Sequence, residues 1–460
     1  MLHLLTAYQL ELYDARRFLT FVYTHPRYWI RWGDRQELVW TMKARALFVL
    51  SIILILGIVL SVYFSMGLIA FLFSVVISVF LFPFILTIAH GILSPMDIIL
   101  KRRIIAHVKQ KLQSSRKNLT VIGITWSYGK TSQKEILETI LAKKYHVLTT
   151  EGNKNTPLGV ADTIEKRLTP EHQIFIVEMG AYTRGNIREL CELVSPDIAL
   201  LTGITYQHLE RFGSIEAIIA TKFELPESIS DSWLMILDTM NDFVREWFRE
   251  RQNTLHGKII EPAFPEQIEY TPDFGGIIFR YNGESFSTTL LADHSAHPII
   301  MAYEVARYLG MESSDILAAI REIQPVEHRL QPIYNPTSNI WVIDDSYNGN
   351  IEWVRSTIRL LAHTVNHRRL YLTPGLVELG GKSHEIHFEI GTLLAPVIDR
   401  VLLIDSVATR SIHEGLRSVW YPEEHIIIYP DTQTAHASLW SVLESWDVIV
   451  FQNDWSDNYF

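Results

Sequence analysis

The longest feature of the hydrophobic pattern is an uncharged stretch near the start of the chain. No Lys, Arg, Asp or Glu occurs from Ala46 to Met96, whereas one helix needs only about 20 apolar residues to cross roughly 30 Å of bilayer hydrocarbon. Ser65-Met66-Gly67 is the point where this run is most easily broken. The pattern therefore predicts two transmembrane helices, at about Ala46 to Phe64 and Leu68 to Ile88, which form a hairpin.

Basic residues flank both ends of this hairpin. Lys43 and Arg45 precede it and Lys101-Arg102-Arg103 follows it, so the positive-inside rule places both ends in the cytoplasm. The aromatic and Arg-rich segment from Leu10 to Trp32 suits a helix at the level of the lipid headgroups, or a docking surface for the soluble part. A buried core hairpin is the less favoured alternative, because soluble cores rarely need so long a stretch without charge.

Short apolar runs alternate with helical spacing after a basic helix and a polar linker at Ser114 to Asn118. Strands are predicted at Leu119 to Thr125, Ile174 to Met179, Asp197 to Thr202 and Trp233 to Asp238, and in a second series at Ile340 to Asp344, Arg369 to Thr373, Arg400 to Ile404, His425 to Tyr429 and Asp447 to Phe451. Helices are predicted at Ser132 to Lys143, Ile187 to Val194 and Ser214 to Leu225. This alternation is typical of a mostly parallel α/β sheet.

Charge and cysteine content narrow the class of protein. The chain of 460 residues has a formal net charge of −10, whereas a general nucleic-acid binder usually carries a basic face that neutralises phosphates. Its single cysteine, Cys191, cannot form an intramolecular disulfide, and a reducing cytoplasm fits that composition. Nucleic acid is therefore not an expected partner.

A candidate phosphate-binding loop lies between a predicted strand and a predicted helix. In GITWSYGKT, the turn Gly129-Lys130-Thr131 would direct backbone N–H groups and a helix N-terminus at phosphate oxygens, with Lys130 adding charge and Thr131 a hydroxyl for Mg²⁺. Ile124 stands where the first glycine of the GxxxxGK[ST] pattern belongs. By itself, the loop is also compatible with an ordinary Gly-Lys-Thr turn.

The motifs around the loop are more specific than the loop itself. They follow one another as GITWSYGKT, TEGNKNTPLGV, VEMGAYTRGNIRELCELVSPDIALLT, HLERFGSIEAIIATK, HRL and IDDSYNGN. In this ordered set the chain from Leu119 onward resembles the Mur ligases, ATP-dependent amide-forming enzymes of cell-wall peptide synthesis. The likeness is strongest to the branch that adds the D-alanyl-D-alanine dipeptide.

The resemblance implies an α/β fold with a P-loop-type central ATPase domain and a C-terminal Rossmann-like domain, preceded by the two-helix transmembrane hairpin. The expected segments are an interfacial helical segment at 1–44, the hairpin at 45–90, a basic helix and linker at 91–118, the central domain at 119–325 and the C-terminal domain at 326–460. In this arrangement the hairpin occupies the place of the family's UDP-binding domain. The protein is expected in the inner membrane, with both termini and the catalytic domains cytoplasmic.

The resemblance also implies an ATP site with two Mg²⁺ ions. Lys130 would hold the β- and γ-phosphates, and Thr131 and Glu178 would ligate the first ion. His208 and Lys222 match the second metal site, where the lysine is carboxylated by CO₂ and becomes an oxygen ligand. Further residues expected near the nucleotide are Gly129 and Ser132 in the loop, the pair Asn153 and Asn155, Arg329 at phosphate, Asp345 at ribose, and Asn348 in the same cleft.

Two departures from the family concern the nucleotide. Trp126 replaces a loop glycine, so the backbone there cannot come as close to phosphate. Ser295 and Pro298 stand where the family has asparagines, one of which normally meets adenine. The resemblance therefore predicts ATP binding with altered base recognition.

Three readings of function remain open on the sequence. In the first, a membrane-held Mur-type ligase joins an amino acid or dipeptide to a peptide carboxylate of a UDP-linked or lipid-linked envelope precursor, in company with other envelope-synthesis proteins. In the second, the enzyme extends a γ-linked polyglutamate. In the third, the altered loop marks a binding relative without turnover. IDDSYNGN and VELGGKSHEIH favour the first reading, and retention of Lys130, Thr131, Glu178, His208 and Lys222 speaks against the third.

Overall fold

The structure is a computed structural model that describes residues 2–11, 13–24, 38–126, 130–152, 154–206, 209–347, 349–364, 366–377 and 379–453; of Lys130, Thr131 and Glu210 it describes the backbone alone. The chain divides into two compact units, Met1–Ala106 and His107–Tyr459.

The first unit is helical and contains a chain reversal. Its helices are α1 (Leu2–Leu10), α2 (Ala15–Thr24) and the helical segment α3 (Met42–Ser115), which continues into the second unit. At Gly67, with φ 79° and ψ −172°, α3 leaves the helical conformation. Lys43 Nζ lies 2.9 Å from Asp97 Oδ2, so the two arms of α3 run antiparallel. The chain thus reverses within the segment predicted for the turn.

Apolar side chains both hold the first unit together and cover its outside. Leu5, Tyr8 and Phe18 of α1 and α2 are buried in one cluster with Leu47 and Phe82 from the two arms. The helix predicted between Leu10 and Trp32 is instead divided, because α1 ends at Leu10, α2 begins at Ala15, and Tyr13 between them has a φ of 62°; the end of the predicted segment lies outside the described residues. Along the arms, Phe64 is 82% exposed and Ile69 74% exposed. The segment Met42–Asn118 is long and apolar enough to cross a membrane by length and composition.

The polar linker predicted at Ser114 to Asn118 is helical rather than extended. The second arm of α3 continues to Ser115, and a 3₁₀ turn, Arg116–Asn118, follows. Arg116 is fixed there because its guanidinium donates to both carboxylate oxygens of Asp197, each at 2.7 Å. Asp197 Oδ2 also accepts the N–H of Val121, at 2.7 Å, so the ion pair anchors this turn to the first strand of the second unit.

The second unit begins with a parallel sheet in the order β2-β3-β1-β4-β5-β6. Its strands are β1 (Thr120–Thr125), β2 (Val147–Thr149), β3 (Ile174–Glu178), β4 (Ile198–Leu201), β5 (Leu234–Leu237) and β6 (Lys258–Ile260). The connecting helices are α4 (Lys130–Leu141), α5 (Pro157–Arg167), α6 (Asn186–Val194), α7 (Leu209–Phe212), α8 (Ile215–Phe223) and α9 (Asp242–Arg251). The four strands predicted here are confirmed, and α4 begins two residues earlier than predicted.

A small antiparallel sheet and two helices complete this first domain. The sheet has the order β7-β8-β9, with β7 (Gln267–Tyr270), β8 (Ile277–Tyr281) and β9 (Glu284–Thr288), and it is followed by α10 (Ala296–Tyr308) and α11 (Ser313–Arg321). Ile136, Leu137 and Ile140 of α4 are buried in one core with Ile299 and Ile300 of α10. These helices are therefore held firmly against the sheet.

The C-terminal domain has a second sheet, in the order β10-β11-β15-β12-β13-β14, in which only β10 is antiparallel to its neighbour. Its strands are β10 (Gln331–Asn335), β11 (Ile340–Asp345), β12 (Arg368–Thr373), β13 (Arg400–Ile404), β14 (Ile426–Tyr429) and β15 (Asp447–Gln452). Its helices are α12 (Ile351–Ala362), α13 (Ser383–Leu394), α14 (Val407–Ser418) and α15 (Thr432–Val442). The predicted second series is confirmed, apart from the edge strand β10, which the hydrophobic pattern did not reveal.

Candidate active site

The predicted phosphate loop lies beside Glu178. Strands β1 and β3 are parallel neighbours, and Ile124 pairs with Glu178 at their carboxyl ends. The loop leaves the sheet after Thr125, and α4 begins at Lys130. Gly129 and the side chains of Lys130 and Thr131 lie outside the described residues. In parallel α/β sheets, ligands bind at the carboxyl ends of the strands, so this edge is the place to look for the site.

Glu178 is held by two partners from different segments. Its side chain is almost fully buried, Oε1 accepts a hydrogen bond from Asn155 Nδ2 at 3.0 Å, and Oε2 lies 3.6 Å from Lys134 Nζ. The predicted residues Glu178 and Asn155 are thus brought together. Asn153, the other member of the predicted pair, lies outside the described residues.

Lys134 is a site residue that the sequence interpretation missed. Besides facing Glu178, its ammonium group donates to the carbonyl oxygens of Thr150 and Gly152, at 2.7 and 2.8 Å. Because residues four apart share one face of a helix, its spacing from Lys130 was the available signal. Lys134 ties α4, the loop after β2 and the end of β3 together.

Gly180 allows the loop of Asn155 to pack closely against the segment after β3. Its N–H donates to the carbonyl of Asn155 at 2.9 Å, and a Cβ added at Gly180 would lie 2.5 Å from Asn155 Oδ1. A side chain here would displace the amide that holds Glu178. The segment Glu178-Met179-Gly180 is therefore constrained by the close packing of Gly180 against Asn155 as well as by the charge of Glu178.

Arg329 enters the site from the segment that joins the two domains. Its guanidinium carbon lies 4.7 Å from the centre of the Tyr347 ring and 5.7 Å from that of Trp353. Burial lowers the pKa of this guanidinium, while the acidic groups of Tyr347, Asp345 and Glu178 act in the opposite direction. Arg329 thus shares an electrostatic environment with Glu178, although they belong to different domains.

A cavity of about 680 Å³ opens between these elements. Its walls come from both domains, with Trp126, Ser132 and Glu135 from the first and Arg329 and Trp353 near or within the second. Ligand pockets for small molecules and cofactors commonly measure about 300–1,000 Å³. The cavity therefore has a size that suits a nucleotide, and it extends along α4 from Ser132 to Ala142.

Asp345 does not line this cavity. It ends β11, it is completely buried, and burial raises the pKa of its carboxyl to about 8 against the opposing effects of the Leu330 N–H and the Arg329 charge. The acidic residue that the C-terminal domain does place on the cavity wall is Glu352, whose pKa is also raised by burial. Asn348 lies outside the described residues.

Lys222 is buried near the end of α8, at 2% exposure. Burying an ammonium group is costly unless other groups compensate its charge. Its predicted companion, His208, lies outside the described residues. Within the described ranges, no group of three His, Cys, Asp or Glu side chains is arranged to hold a metal ion.

The positions that replace the family asparagines carry no free amide. The Ser295 hydroxyl donates to the carbonyl of Leu291 at 2.7 Å, and the carbonyl of Pro298 accepts from Gln133 Nε2 at 3.1 Å. Trp126, which replaces the loop glycine, has a buried side chain on the cavity wall. The cavity wall thus carries Arg329 and Arg355 together with Glu135 and Glu352, whereas Glu178 and Lys134 lie outside the residues that line it.

Two family models match the second unit of this chain in order. The Mur ligase middle domain matches residues 124–306, and the Mur ligase, glutamate ligase domain matches residues 328–452. The chain belongs to the Mur ligase family.

Sequence relatives include two UDP-N-acetylmuramoyl-tripeptide--D-alanyl-D-alanine ligases. The ligase of Escherichia coli is 28% identical over 62% of this chain and 64% of that protein, and the ligase of Haemophilus influenzae is 29% identical over 60% of this chain and 61% of that protein. The chain thus spans less than two thirds of the length of these relatives.

Solved structures share the fold. The MurF ligase from Thermotoga maritima in complex with ADP superposes with a TM-score of 0.66 at 24% identity, over 78% of this chain and 81% of that one. MurF from Acinetobacter baumannii gives a TM-score of 0.65 at 23% identity, over 76% and 78%. The predicted Mur ligase architecture of the two α/β domains is therefore confirmed.

Proposed function

We propose that this chain is a membrane-held, ATP-dependent Mur-type ligase that adds a dipeptide or an amino acid to a peptide carboxylate of a cell-envelope precursor. The carboxylate takes the terminal phosphoryl group of ATP, and the amine then displaces that phosphate to form the amide. The observation that carries the proposal is the pairing of Glu178, Lys134 and Asn155 at the carboxyl end of β3, together with Arg329 on the cavity wall, where burial lowers the pKa of the guanidinium against the opposing effect of the Glu178 charge.

Each of these side chains has a role in phosphoryl transfer, which depends mainly on positioning and electrostatics. Lys130 neutralises phosphate charge in a loop that includes Gly129 and Ser132, and Glu178 with Thr131 supplies oxygen ligands for Mg²⁺. Lys134 and Asn155 keep the Glu178 carboxylate in place, and Arg329 grips phosphate. Asn153 and Asn348 belong to the same cleft. Asp345, which the resemblance places at the ribose, is buried and does not line the cavity, so it would reach a ribose only after β11 moved.

The second Mg²⁺ site is proposed at His208 and a Lys222 carboxylated by CO₂. The burial of Lys222 near the end of α8 supports this proposal, because a cation bound to the carbamate would compensate its negative charge inside the protein. We expect Lys222→Ala to lose activity and short carboxylates to restore part of it. Alanine at the exposed Lys166 serves as the control, and activity of Lys222→Ala equal to that of this control would contradict the assignment.

The arms of α3 are proposed to cross the membrane as a hairpin at about Ala46 to Phe64 and Leu68 to Ile88. Nineteen helical residues span about 28 Å, close to the hydrocarbon thickness. The apolar side chains that face outward support this proposal, and the Lys43–Asp97 contact supports placing both ends of the hairpin on one side. With the basic flanks inside, the catalytic domains are cytoplasmic. Labelling of a cysteine added after Phe460 from outside intact cells would contradict this topology.

The acceptor and the amine are proposed from the names of the sequence relatives, which describe a UDP-linked muramoyl tripeptide and D-alanyl-D-alanine.

The test of this proposal uses the full-length chain in lipid nanodiscs with ATP and Mg²⁺. Phosphate release is measured, and products are identified by mass spectrometry, with three pairs: UDP-N-acetylmuramoyl tripeptide with the dipeptide, a lipid-linked tripeptide with the dipeptide, and polyglutamate with glutamate. An amide product in either tripeptide reaction supports the proposal. A product in the polyglutamate reaction alone, or ATP binding without any product, would overturn it.

A further inference from the structure

Arg329 is a cation on the cavity wall that aromatic rings, rather than a carboxylate, hold in place. Within the described part of the chain, its guanidinium donates no hydrogen bond and has no carboxylate at ion-pair distance, whereas its central carbon lies 4.7 Å from the Tyr347 ring centre and 5.7 Å from that of Trp353. A ring attracts a cation without using its N–H donors in strong hydrogen bonds. The donors of Arg329 therefore stay available to an anionic ligand, and their direction depends on how firmly these rings are held.

Trp353 is held by a residue of the other domain. It is 4% exposed in the first turn of α12, where its N–H donates to Asn350 Oδ1 at 3.0 Å. The imidazole of His294, which precedes α10, stacks on the indole with 4.9 Å between the centroids and an angle of 23° between the planes. Burial lowers the pKa of His294 to about 4, so at pH 7 the ring is neutral and does not repel Arg329.

A hydroxyl and an ion pair fix His294 in turn. Ser356, one turn after Trp353 on α12, accepts the N–H of His294 at 3.3 Å, lies 2.9 Å from its Nδ1 and donates to Asp293. Asp293 also accepts from Nε and Nη2 of Arg359, at 2.7 and 3.1 Å. Because residues three apart are neighbours on a helix, Trp353, Ser356 and Arg359 follow one side of α12. A continuous series of contacts thus leads from the ion pair to the indole.

We infer that Asp293 and Arg359 position Arg329 to bind the anionic part of a ligand in the cavity. They act through the rings of His294 and Trp353, and neither of these two charged side chains lines the cavity. Since Asp293 belongs to the first α/β domain and Arg359 to the C-terminal one, the contact between the domains sets the affinity for the ligand. The inference rests on the proposed nucleotide site.

The test measures Kd values of ADP and adenosine for the full-length chain by calorimetry, without turnover. Arg329→Gln should weaken ADP binding by about 10-fold or more. Arg359→Gln should weaken it by about 3- to 10-fold, because Arg329 is no longer held in one direction, and Arg359→Lys, which keeps an ion pair, should recover most of that loss. In a chain that already carries Arg329→Gln, Arg359→Gln should have no further effect. Adenosine, which lacks phosphate, should bind to all these chains alike.

A matched control is available in Arg410, whose guanidinium also donates to both carboxylate oxygens of an aspartate, Asp405, at 3.2 and 3.4 Å, but within one domain. Arg410→Gln should bind ADP as the wild-type chain does, whereas Asp293→Asn should show the loss expected for Arg359→Gln. Circular dichroism shows whether each variant is folded.

Two results would overturn the inference. The first is equal ADP affinity in Arg359→Gln, Asp293→Asn and the Arg410→Gln control, and the second is a loss that adds in full to that of Arg329→Gln in the double variant. A wild-type chain that does not bind ADP would overturn both the inference and the proposed function. Because no acceptor is present, the ADP pattern can hold while ligation fails with every acceptor, and that result would overturn the proposed function alone.

Discussion

The proposed phosphate and base regions of the site differ in what supplies recognition. Beside the proposed phosphate loop, Glu178, Lys134 and Asn155 belong to three segments and hold one another in place. On the cavity wall, Ser295 and Pro298 stand where the resemblance predicts asparagines, and their polar groups bond within the protein. Removing one partner of a buried ion pair is strongly destabilising, whereas a single hydrogen bond to a base can be provided from a neighbouring position. The comparison therefore separates a part of the site that is fixed by its own network from a part that can change.

The largest effect is expected from removing charge at the phosphate end. Lys130→Ala should lower kcat by about 10³-fold or more, because preorganised positive charge stabilises the transferring phosphoryl group. Lys143→Ala, an exposed residue beyond the end of the same helix, should behave as the wild-type chain does. Comparable rates in the two variants, with circular dichroism showing both folded, would contradict the loop assignment.

The second prediction concerns Asp345 and tests whether its carboxyl is neutral in the folded state. Its folded pKa of about 8 exceeds the unfolded value near 3.9, so the folded chain binds the extra proton between these values. This carboxyl therefore lowers the free energy of unfolding as pH rises from about 4 to about 8, by up to about 4 kcal/mol at pH 7. Asp345→Asn should flatten that dependence and stabilise the chain at pH 7. Denaturant unfolding at pH 5 and pH 7 measures it, and parallel profiles for both chains would be evidence against a neutral Asp345.

The Lys134→Met variant tests whether the contacts among Glu178, Lys134 and Asn155 matter for activity. Lys134→Met keeps much of the length of the side chain but removes the ammonium group that lies 3.6 Å from Glu178 Oε2 and that donates to two carbonyl groups. We expect kcat to fall by about 10- to 100-fold and half-saturation by Mg²⁺ to require a higher concentration. Lys166→Met, on the exposed side of α5, is the control. If the Mg²⁺ dependence of Lys134→Met equals that of this control, Lys134 does not position Glu178.

The smallest effect is expected from removing the first unit. A chain that begins at His107 keeps Val108 and Leu112, which are buried within the second unit. With a UDP-linked acceptor its turnover should stay within about twofold of the full chain, whereas a lipid-linked acceptor should be used much less, because anchoring both partners in one plane raises their effective concentration. Equal loss with both acceptors would show that the first unit is needed for the site itself.

Local pattern predicted the elements better than the contacts between them. The apolar runs of β1 and β3 placed Glu178 beside the loop, because parallel neighbours bring their carboxyl ends together. Lys134 was missed because a lysine on an amphipathic helix is normally exposed, and its partners at Thr150 and Gly152 come from another segment. The three-residue strand β2 lacks the length that a period of two requires. Asp345 matched a family position, but neither its depth below the cavity nor the presence of Glu352 on the wall follows from spacing.

The turn at Gly67 also bears on how the protein is made. Ser65, Met66 and Gly67 carry no charge, and neither does the rest of the stretch from Ala46 to Met96. A charged side chain at the centre of a bilayer costs about 2.5–3.5 kcal/mol on insertion scales, and the proposed transmembrane hairpin has none to carry across. In the proposed topology both arms would enter the membrane as a pair when they leave the ribosome, without export of a hydrophilic loop. The catalytic domains, which are synthesised afterwards, would then fold on a chain that is already attached to the membrane.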